Sequence, residues 1–445
     1  MSSKCLFHVH FRNRESRAGS LRSRYRLFAG GVGYGCCAVF FLTAASLTLG
    51  QEALRNLLVD DAAVEARHLQ AESQRYTIKS DDLRLLVVPS LGLDWNDNVN
   101  ISRTNAQQDV IFRPRLQLAA SYPITQENLL SLNVGVGYDK YFEHDQYSTL
   151  FLQTGSELSF DIYVKDFWFN LHDRVNYVQD TSQQPALSGI ANYATLDNTA
   201  GLSVTWDLDM LRLSTGYDHQ NVISPRPQPI ESQDGVTEML FARAGLKLYP
   251  EVTTGIEGTG AFTTYDQMVL NDNSAYSAGV YADWQPGEYF HVQPRVGYTT
   301  YHFQHTSQTI QTSDLNTWYG DLRITHQVTH AIGYSLDVGH EVRYGFEADA
   351  IEDSYFRPSV HWDIIKNLIL RTSLNYEHGK QGVGNVAGNL AETYDWFSTE
   401  VGASYSMVKN LSLDLAYRLS LRSSNIAYNE YAQNVLTLQV SYNPS

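Results

Sequence analysis

The sequence contains almost no cysteine. Only Cys5, Cys36 and Cys37 occur among the 445 residues, and all three lie within the first fifty positions. Residues 51–445 therefore have no disulfide framework, and no thiolate there is available as a nucleophile or metal ligand. This excludes disulfide-stapled secreted domains and cysteine-dependent enzymes for that part of the chain.

Long apolar runs are also missing after residue 50, so no transmembrane helix is predicted there. In the first fifty residues, a basic region precedes an apolar stretch, Leu27 to Leu49, that contains small residues around Ala44–Ser46 and is followed by Gly50. This order is typical of a secretory signal peptide, which we predict for residues 1–50. Because the basic region is longer than usual, an uncleaved membrane anchor is the alternative.

Basic charge is scarce. The first fifty residues hold seven of the basic residues and one of the acidic ones, which leaves 25 Lys and Arg against 47 Asp and Glu, a net charge of −22. Such a chain repels nucleic acid, so a nucleic-acid partner is disfavoured. We expect the excess acid in loops and in a lumen, where water or divalent cations can screen it.

What the sequence does contain is long two-residue alternation, clearest over Val401–Arg422. From Leu411 on, six apolar residues alternate with small or polar ones, which places the apolar set on one face of a strand. The run lasts about eleven residues, enough for a tilted strand to cross a bilayer. A matching run from Phe397 to Met407 precedes it, and the tight turn Val408–Asn410 joins the two.

The same pattern recurs along the chain and predicts eighteen strands. They lie near residues 83–95, 108–122, 128–142, 147–163, 166–178, 193–207, 210–222, 235–249, 252–265, 275–285, 289–303, 315–329, 332–346, 352–365, 368–378, 394–408, 411–423 and 432–443.

The connections between these strands alternate in length. Turns such as Leu208-Asp209 and Lys366-Asn367 are short, whereas Asn96–Gln107 and Gly379–Thr393 are long and polar. Short turns at one rim and long loops at the other are typical of outer-membrane barrels. We therefore predict an all-β fold: a transmembrane antiparallel up-and-down β-barrel of about 18 strands (16–18) over residues 81–445, with short periplasmic turns and longer extracellular loops. Residues 51–80, which have a helix-like pattern, are predicted to be a short periplasmic extension.

The predicted outward faces are compatible with lipid. The third strand, for example, offers leucine and valine at alternate positions from Leu130 to Val136, followed by Tyr138. Aromatic residues gather near strand ends, as the girdles of such barrels do. These residues are Trp95, Tyr122, Phe167, Trp206, Tyr249, Tyr289, Trp362 and Tyr442.

Two segments carry a family resemblance. DWNDNVNIS at Asp94–Ser102 and DVIFRPRLQLAASYP at Asp109–Pro123 resemble the opening of the outer-membrane beta-barrel porin type 2 family, and the pattern continues from about Ser80 to the end. The resemblance implies a bacterial outer-membrane barrel, and some similar proteins are associated with exopolysaccharide export. One departure is the end of the chain, where Asn443-Pro444-Ser445 follow the expected terminal aromatic, Tyr442.

The predicted inward faces carry charges of both signs. Arg or Lys on the lipid face costs about 2–4 kcal/mol at mid-depth, so the alternation assigns charged strand residues to the interior. A solute path whose charges set selectivity is one interpretation, and a salt-bridged wall that conducts little is the other. The pore-lining candidates are Arg113, Arg115, Asp139, Glu157, Arg174, Arg212, Arg243, Arg295, Arg323, Asp337, Glu341, Arg343, Arg357, Arg371, Glu400, Asp414 and Arg418.

Metal and enzyme sites are disfavoured. His326 and His330 would lie about 13 Å apart on a strand, too far for one ion. Neighbouring acid–base pairs such as Asp218 with His219 would point to opposite faces, and neither GxSxG nor HExxH occurs. We predict no catalytic residue, metal or cofactor, although constellations assembled from distant strands stay open.

The predicted function is an outer-membrane pore for passive passage of polar solutes or a polymer. The alternatives are the outer-membrane component of an exopolysaccharide export system, a structural or surface barrel with a closed lumen and, least favoured, a barrel hydrolase. The expected partners are outer-membrane lipid, the barrel-assembly machinery and a polysaccharide export complex. The expected location is the outer membrane of a Gram-negative-type bacterium.

Overall fold

The structure is a computed structural model that describes residues 76–178, 184–191, 194–224, 233–304, 313–346, 348–382 and 391–443. The predicted signal peptide and residues 51–75 of the predicted extension lie outside the described residues. Among the residues that are described, no helix is long and apolar enough to cross a membrane.

Nearly all of the described chain is antiparallel sheet. Eighteen long strands, of 12 to 17 residues, follow one short strand, β1. The strands are β1 (Ile78–Ser80), β2 (Leu83–Asn96), β3 (Asp109–Pro123), β4 (Leu129–Tyr141), β5 (Thr149–Val164), β6 (Phe167–Val178), β7 (Thr195–Leu208), β8 (Leu211–Ile223), β9 (Gly235–Tyr249), β10 (Val252–Tyr265), β11 (Asp272–Gly287), β12 (Phe290–Gln304), β13 (Leu315–Gln327), β14 (Ile332–Tyr344), β15 (Ala350–Ile365), β16 (Leu368–Gln381), β17 (Glu392–Val408), β18 (Leu411–Ser424) and β19 (Tyr431–Tyr442). Two 3₁₀ turns, Asp145–Tyr147 and Ala427–Asn429, lie in connections.

The sheet closes on itself. Each strand from β2 to β19 pairs with its neighbour in sequence, and β19 pairs with β2 from Val435 opposite Asn96 to Ser441 opposite Ser90. Closure leaves no long free sheet edge, which is how strands can exist in lipid without unpaired backbone groups. The predicted barrel of eighteen strands is confirmed, and every predicted strand boundary lies within three residues of the observed one.

The two rims differ as predicted. At one rim, six of the eight connections are two-residue turns, and Lys165 and Asp209 in two of them adopt positive φ of 59° and 68°. Such left-handed residues are typical of the tightest hairpins, because their twist matches that of the flanking strands. At the other rim the connections run from five residues at 345–349 to sixteen at 179–194. We call these the short-turn and long-loop rims; the barrel begins and ends at the first.

One strand was missed by the sequence reasoning. Ile78–Ser80, assigned above to a helix-like segment, is instead β1, paired with Leu83–Leu85 of β2. The hydroxyl of Thr77 also accepts the Val87 N–H at 2.9 Å. The physical reason is the edge of β2 that faces β19. Because β19 pairs only with Ser90–Asn96, the first part of β2 still has backbone groups to pair on that edge, and β1 pairs with them at Leu83–Leu85.

The outer face is apolar between two aromatic bands. Large apolar side chains such as Leu158, Ile256 and Val296 are exposed along the middle of the strands. Near the short-turn rim the exposed aromatics are Tyr122, Phe167, Trp206, Tyr249, Trp284, Tyr289, Trp362, Tyr405 and Tyr442. In the strand halves toward the long-loop rim they are Trp95, Tyr138, Phe262, Tyr276, Tyr298, Trp318 and Tyr376. Bands of this kind lie at the two membrane interfaces of outer-membrane barrels.

Because the outer face contacts lipid, the cost in stability of introducing a charged side chain should depend on the face that carries it. Val296→Arg, at the middle of the outer face of β12, is expected to lower the free energy of unfolding in bilayers by about 2–4 kcal/mol. Gln293→Arg is the control, because Gln293 lies on the inner face of the same strand and donates to Asp283 at 2.9 Å. Urea titration of barrels folded into lipid vesicles measures both, and equal losses would contradict the assignment of faces.

Candidate functional site in the barrel interior

The concave inner face can be recognised from contacts between distant strands. Tyr319 on β13 donates to Glu257 on β10 at 3.1 Å, although two strands lie between them. Side chains on the convex face diverge, so only the inner face permits such a contact. The register of each strand pair extends this assignment around the barrel, since paired residues share a face. All seventeen predicted pore-lining residues lie on the inner face.

The first group of charges spans β2 to β5. Arg113 contacts Asp94 at 2.7 Å and Asp139 at 3.7 Å, and Arg115 is hydrogen-bonded to the same Asp139. The guanidinium of Arg115 also lies 3.6 Å over the ring of Phe151. The ion pairs and the ring hold two adjacent guanidinium groups side by side against one carboxylate.

The second group spans β5 to β8. Arg174 contacts Glu157 at 3.8 Å, and His172 contacts Asp218 at 3.1 Å. The other ring nitrogen of His172 lies 2.8 Å from the Oδ1 of Asn170, and the side chains of His172 and Asp218 are fully buried. Both nitrogens are therefore engaged and no solute can reach them, so this pair stabilises the wall and does not form an acid–base site.

The third group spans β9 to β13. Arg243 lies 3.4 Å over the ring of Tyr281 and 3.9 Å from Glu257, the acceptor for Tyr319. On the neighbouring strands, Arg295 contacts Asp321 at 3.3 Å. Stacking on an aromatic ring keeps a guanidinium in one orientation while leaving some of its donors uncommitted.

The fourth group, on β13 to β17, is centred on the buried Arg343. Arg343 is hydrogen-bonded to Glu377 and to the Tyr394 hydroxyl and lies 3.5 Å from Asp353. Arg357 contacts Glu377 at 3.5 Å. On the same wall, Arg323 contacts Asp337 at 3.5 Å, and the Tyr355 hydroxyl donates to Asp321 at 2.9 Å.

The remaining predicted residues complete the ring. Arg371 contacts Asp414 at 3.1 Å, and Ser404 is hydrogen-bonded to both. Arg418 and Glu400 face each other as register partners of β18 and β17, and Arg212 is exposed on the inner face of β8. Glu341, in contrast, is buried, as are Arg343 and Arg174, so a solute in the lumen cannot contact these three.

In most of these ion pairs the guanidinium is the more exposed partner. The exposed fractions of the side chains are 27% for Arg113 against 2% for Asp94, 46% for Arg323 against 25% for Asp337, and 39% for Arg371 against 22% for Asp414. The Arg174–Glu157 pair, at 8% and 15%, is an exception. In most of these arginine ion pairs, the guanidinium side is thus more accessible to the water of the lumen than the carboxylate.

Two loop segments project into the lumen near the long-loop rim. Ile101, from the β2–β3 connection, and Leu187, from the β6–β7 connection, pack in one cluster with Ile351, Tyr394 and Trp396 of the wall. The Gly189 N–H donates to the Ile101 carbonyl at 2.9 Å and joins the two segments. Arg422 on β18 donates to the Pro185 carbonyl at 2.8 Å and contacts Glu392 at 2.8 Å. The lumen is therefore narrowed at this height.

Sequence reasoning missed these loops and the aromatic partners of the arginines. Phe151, Tyr281, Tyr355 and Tyr394 lie under guanidinium groups at inward positions of their strands. For Tyr281, Tyr355 and Tyr394 the available signal was an inward charge two residues away on the same strand, whereas Phe151 has none so near. For the loops the signal was weaker, a few apolar residues such as Ile101 and Leu187 in long connections that also carry many polar ones.

Two further sequence predictions concern acid–base pairs and metal ions. Asp218 and His219 point to opposite faces as predicted, because His219 contacts Glu238 at 2.9 Å on the outer face. Within the described ranges, no three His, Cys, Asp or Glu side chains lie close enough together to hold a metal ion.

The closed barrel, its lipid-compatible outer face and its charged interior define an outer-membrane β-barrel pore. The sequence model of the family described as "Putative beta-barrel porin 2" matches residues 86–443. The chain belongs to this family, and the resemblance noted from its opening strands is confirmed. Its function is accordingly that of a porin, a passive path for polar solutes across the outer membrane.

Solved structures with a similar fold include three proteins of Pseudomonas. A BenF-like porin from Pseudomonas fluorescens Pf-5 has a TM-score of 0.48 and 10% identity, with 81% of this chain and 98% of that chain covered. OccK2 (OpdF) of Pseudomonas aeruginosa, solved in complex with glucuronate, has 0.48 and 11%, covering 82% and 98%. OpdL of Pseudomonas aeruginosa has 0.44 and 12%, covering 82% and 99%. No curated protein matches the sequence.

Proposed function

We propose that this barrel is a narrow pore that favours small anionic solutes over cations. The observation that carries the proposal is the unequal exposure within the ion pairs of the wall, which places guanidinium tips nearer the lumen water than their acidic partners. A guanidinium offers several donors in a planar fork that matches carboxylate, phosphate or sulfate oxygens. Rings of such side chains set ion selectivity in channels.

The acidic partners weaken the binding of a passing anion to the arginines. Each arginine is already partly neutralised, so an anion exchanges against a fixed carboxylate rather than meeting an isolated positive charge. A solute that is bound weakly at several positions can also leave, which conduction requires. The stacked arginines, such as Arg115 over Phe151 and Arg357 over Tyr355, keep their orientation while a solute passes.

Ion selectivity tests the proposal. Arg323→Glu and Arg371→Glu are expected to shift the reversal potential of single channels in a salt gradient toward cation preference, because both side chains are well exposed in the lumen. Lys140→Glu is the matched control: its side chain is 40% exposed but lies on the outer face. A cation-selective wild-type channel, or equal shifts in all three variants, would refute anion preference.

The other functions considered above have less support. Export of a polysaccharide, with a partner export complex, needs a wide path, and the Ile101 and Leu187 segments occupy part of it. If folded barrels gave no single-channel currents in a planar bilayer, a closed structural barrel would be favoured. An enzymatic role has less support because the His172–Asp218 pair is fully buried, out of reach of a solute. We further place the protein in a Gram-negative outer membrane, in contact with its lipid and inserted by the barrel-assembly machinery.

A further inference from the structure

The backbone pairing between β13 and β14, which we call the seam, stops before either strand ends. The two strands are paired from Gln327 opposite Gly333 to Gly320 opposite His340. Both continue beyond that point, β13 to Leu315 and β14 to Tyr344, without pairing to each other although every residue involved is described. Extending the register would place Tyr319 opposite Glu341 and Trp318 opposite Val342. The wall is therefore split at this seam near the long-loop rim.

The end of β14 lies inside the barrel. Its last four residues, Glu341–Tyr344, which we call the inner arm, are all buried, whereas other strands alternate in exposure. Val342 and Tyr344 share the strand face of Tyr334, Leu336 and Val338, which lower down is the lipid face. In the arm, that same face packs against inward residues of β9 to β12, namely Met239, Ala261, Ala275, Tyr301 and Phe303. An outer face can meet an inner wall only if the arm, still paired with Ala350–Asp353 of β15, bends away from β13 into the lumen.

Polar contacts hold the arm in the lumen. The Tyr344 hydroxyl accepts from Thr263 at 3.0 Å and donates to Asn273 at 2.8 Å. Just after the arm, the Asp349 carboxylate accepts from the backbone N–H and the side-chain amide of Asn271, both at 2.8 Å. These contacts join the hairpin formed by β14 and β15 to β10, to β11 and to the residue just before β11, and they narrow the lumen from that side.

The sequence of the arm also suits the wall. In an extended seam, Val342 and Tyr344 would continue the apolar lipid face, with Tyr344 at the height of the aromatic band, while Glu341 and Arg343 would face inward. The pairing side of residues 315–319 on β13 would then gain backbone hydrogen bonds. The arm thus has two positions that each bury its apolar side chains, and these differ in which backbone and side-chain hydrogen bonds are made.

We infer that the inner arm is a gate of the pore, which exchanges between the lumen position and a wall position where it extends the β13–β14 ladder. In the first position the arm occupies lumen space and the seam is split; in the second the seam is closed and the lumen is wider. Since conductance is its readout, the gate rests on the proposed pore function, but the movement itself can be measured without conduction.

Engineered disulfides test the movement, because residues 51–445 contain no cysteine that could compete. Trp318→Cys with Val342→Cys is the diagnostic pair: Trp318 is exposed outside the barrel, whereas Val342 is fully buried inside it, so the thiols meet only when the arm enters the wall. Leu322→Cys with Val338→Cys is the matched control on the same face of the paired seam. Asn271→Cys with Asp349→Cys links the hairpin to β11 and holds the arm in the lumen.

Oxidation of folded barrels is expected to form the diagnostic disulfide in a large fraction of molecules, more slowly than the control disulfide. Oxidised diagnostic channels should conduct more than the same channels after reduction, and oxidised 271–349 channels should stay at the lower conductance. A diagnostic pair that stays reduced while the control pair oxidises would overturn the gate and leave the pore intact. A diagnostic disulfide that forms without changing conductance would also overturn it as a gate. A diagnostic disulfide in barrels that never conduct would instead refute the proposed pore.

Discussion

Replacing Arg343 by methionine is expected to destabilise the barrel by about 3–5 kcal/mol, because Asp353 and Glu377 would remain buried without their main cationic partner. Methionine has a similar length, so the loss measures charge and hydrogen bonding rather than a cavity. The temperature at which the folded form disappears on a heat-modifiability gel measures the effect, and urea titration in vesicles gives the free energy.

The control for this prediction is Arg323→Met on the adjacent strand. Its side chain is 46% exposed, so the loss of its ion pair with Asp337 is expected to cost no more than about 1 kcal/mol. The double change Arg343→Met and Glu377→Gln should recover part of the stability, since it removes one of the unpaired carboxylates. Equal losses for Arg343→Met and Arg323→Met would contradict the buried network.

The second large effect concerns the segment that projects into the lumen from the β6–β7 connection. Replacing residues 184–191 by an equal number of Gly and Ser is expected to raise single-channel conductance several-fold, because Leu187 and the bond from Arg422 to Pro185 hold this segment inside the barrel. Planar-bilayer recordings measure the change, at matched salt and voltage.

A replacement at the short-turn rim controls for the general effect on conductance of replacing a connection by Gly and Ser. Substituting Thr125–Glu127, in the turn between β3 and β4, by Gly and Ser should leave conductance near that of the unchanged protein. If the 184–191 replacement also leaves conductance unchanged while the barrels stay folded, this segment does not limit the pore.

The fold could be predicted from the sequence because lipid imposes a strict pattern. Every second residue of strands such as Leu411–Ser424 had to be apolar on the outer face, and that two-residue period is local. Charges at inward positions followed by elimination, and all seventeen candidates lie where the alternation placed them. Pore lining itself stays a prediction for these residues, since their place on the inner face does not show that a solute contacts them.

The contacts between distant segments could not be predicted from the sequence. Nothing near Leu187 predicts that it meets Ile351, more than a hundred residues away, and the sequence of β14 predicts a lipid face for Val342 and Tyr344, which the structure buries in the lumen. Alternation fixes a face relative to the strand and not relative to the barrel. A strand that bends inward therefore keeps its pattern and reverses its surroundings.

The short strand β1 bears on how the barrel keeps its shape. The diameter and tilt of a closed sheet are fixed by the offset at which its last strand meets its first. Here that joint is brief, from Ser90 to Asn96, and a slide of β19 by two residues would preserve which side chains face lipid. By occupying the edge of β2 at Leu83–Leu85, β1 stands in the path of such a slide toward the start of β2. The three residues of β1 thus block, in one direction, a change in the strand offset on which the circumference of the barrel depends.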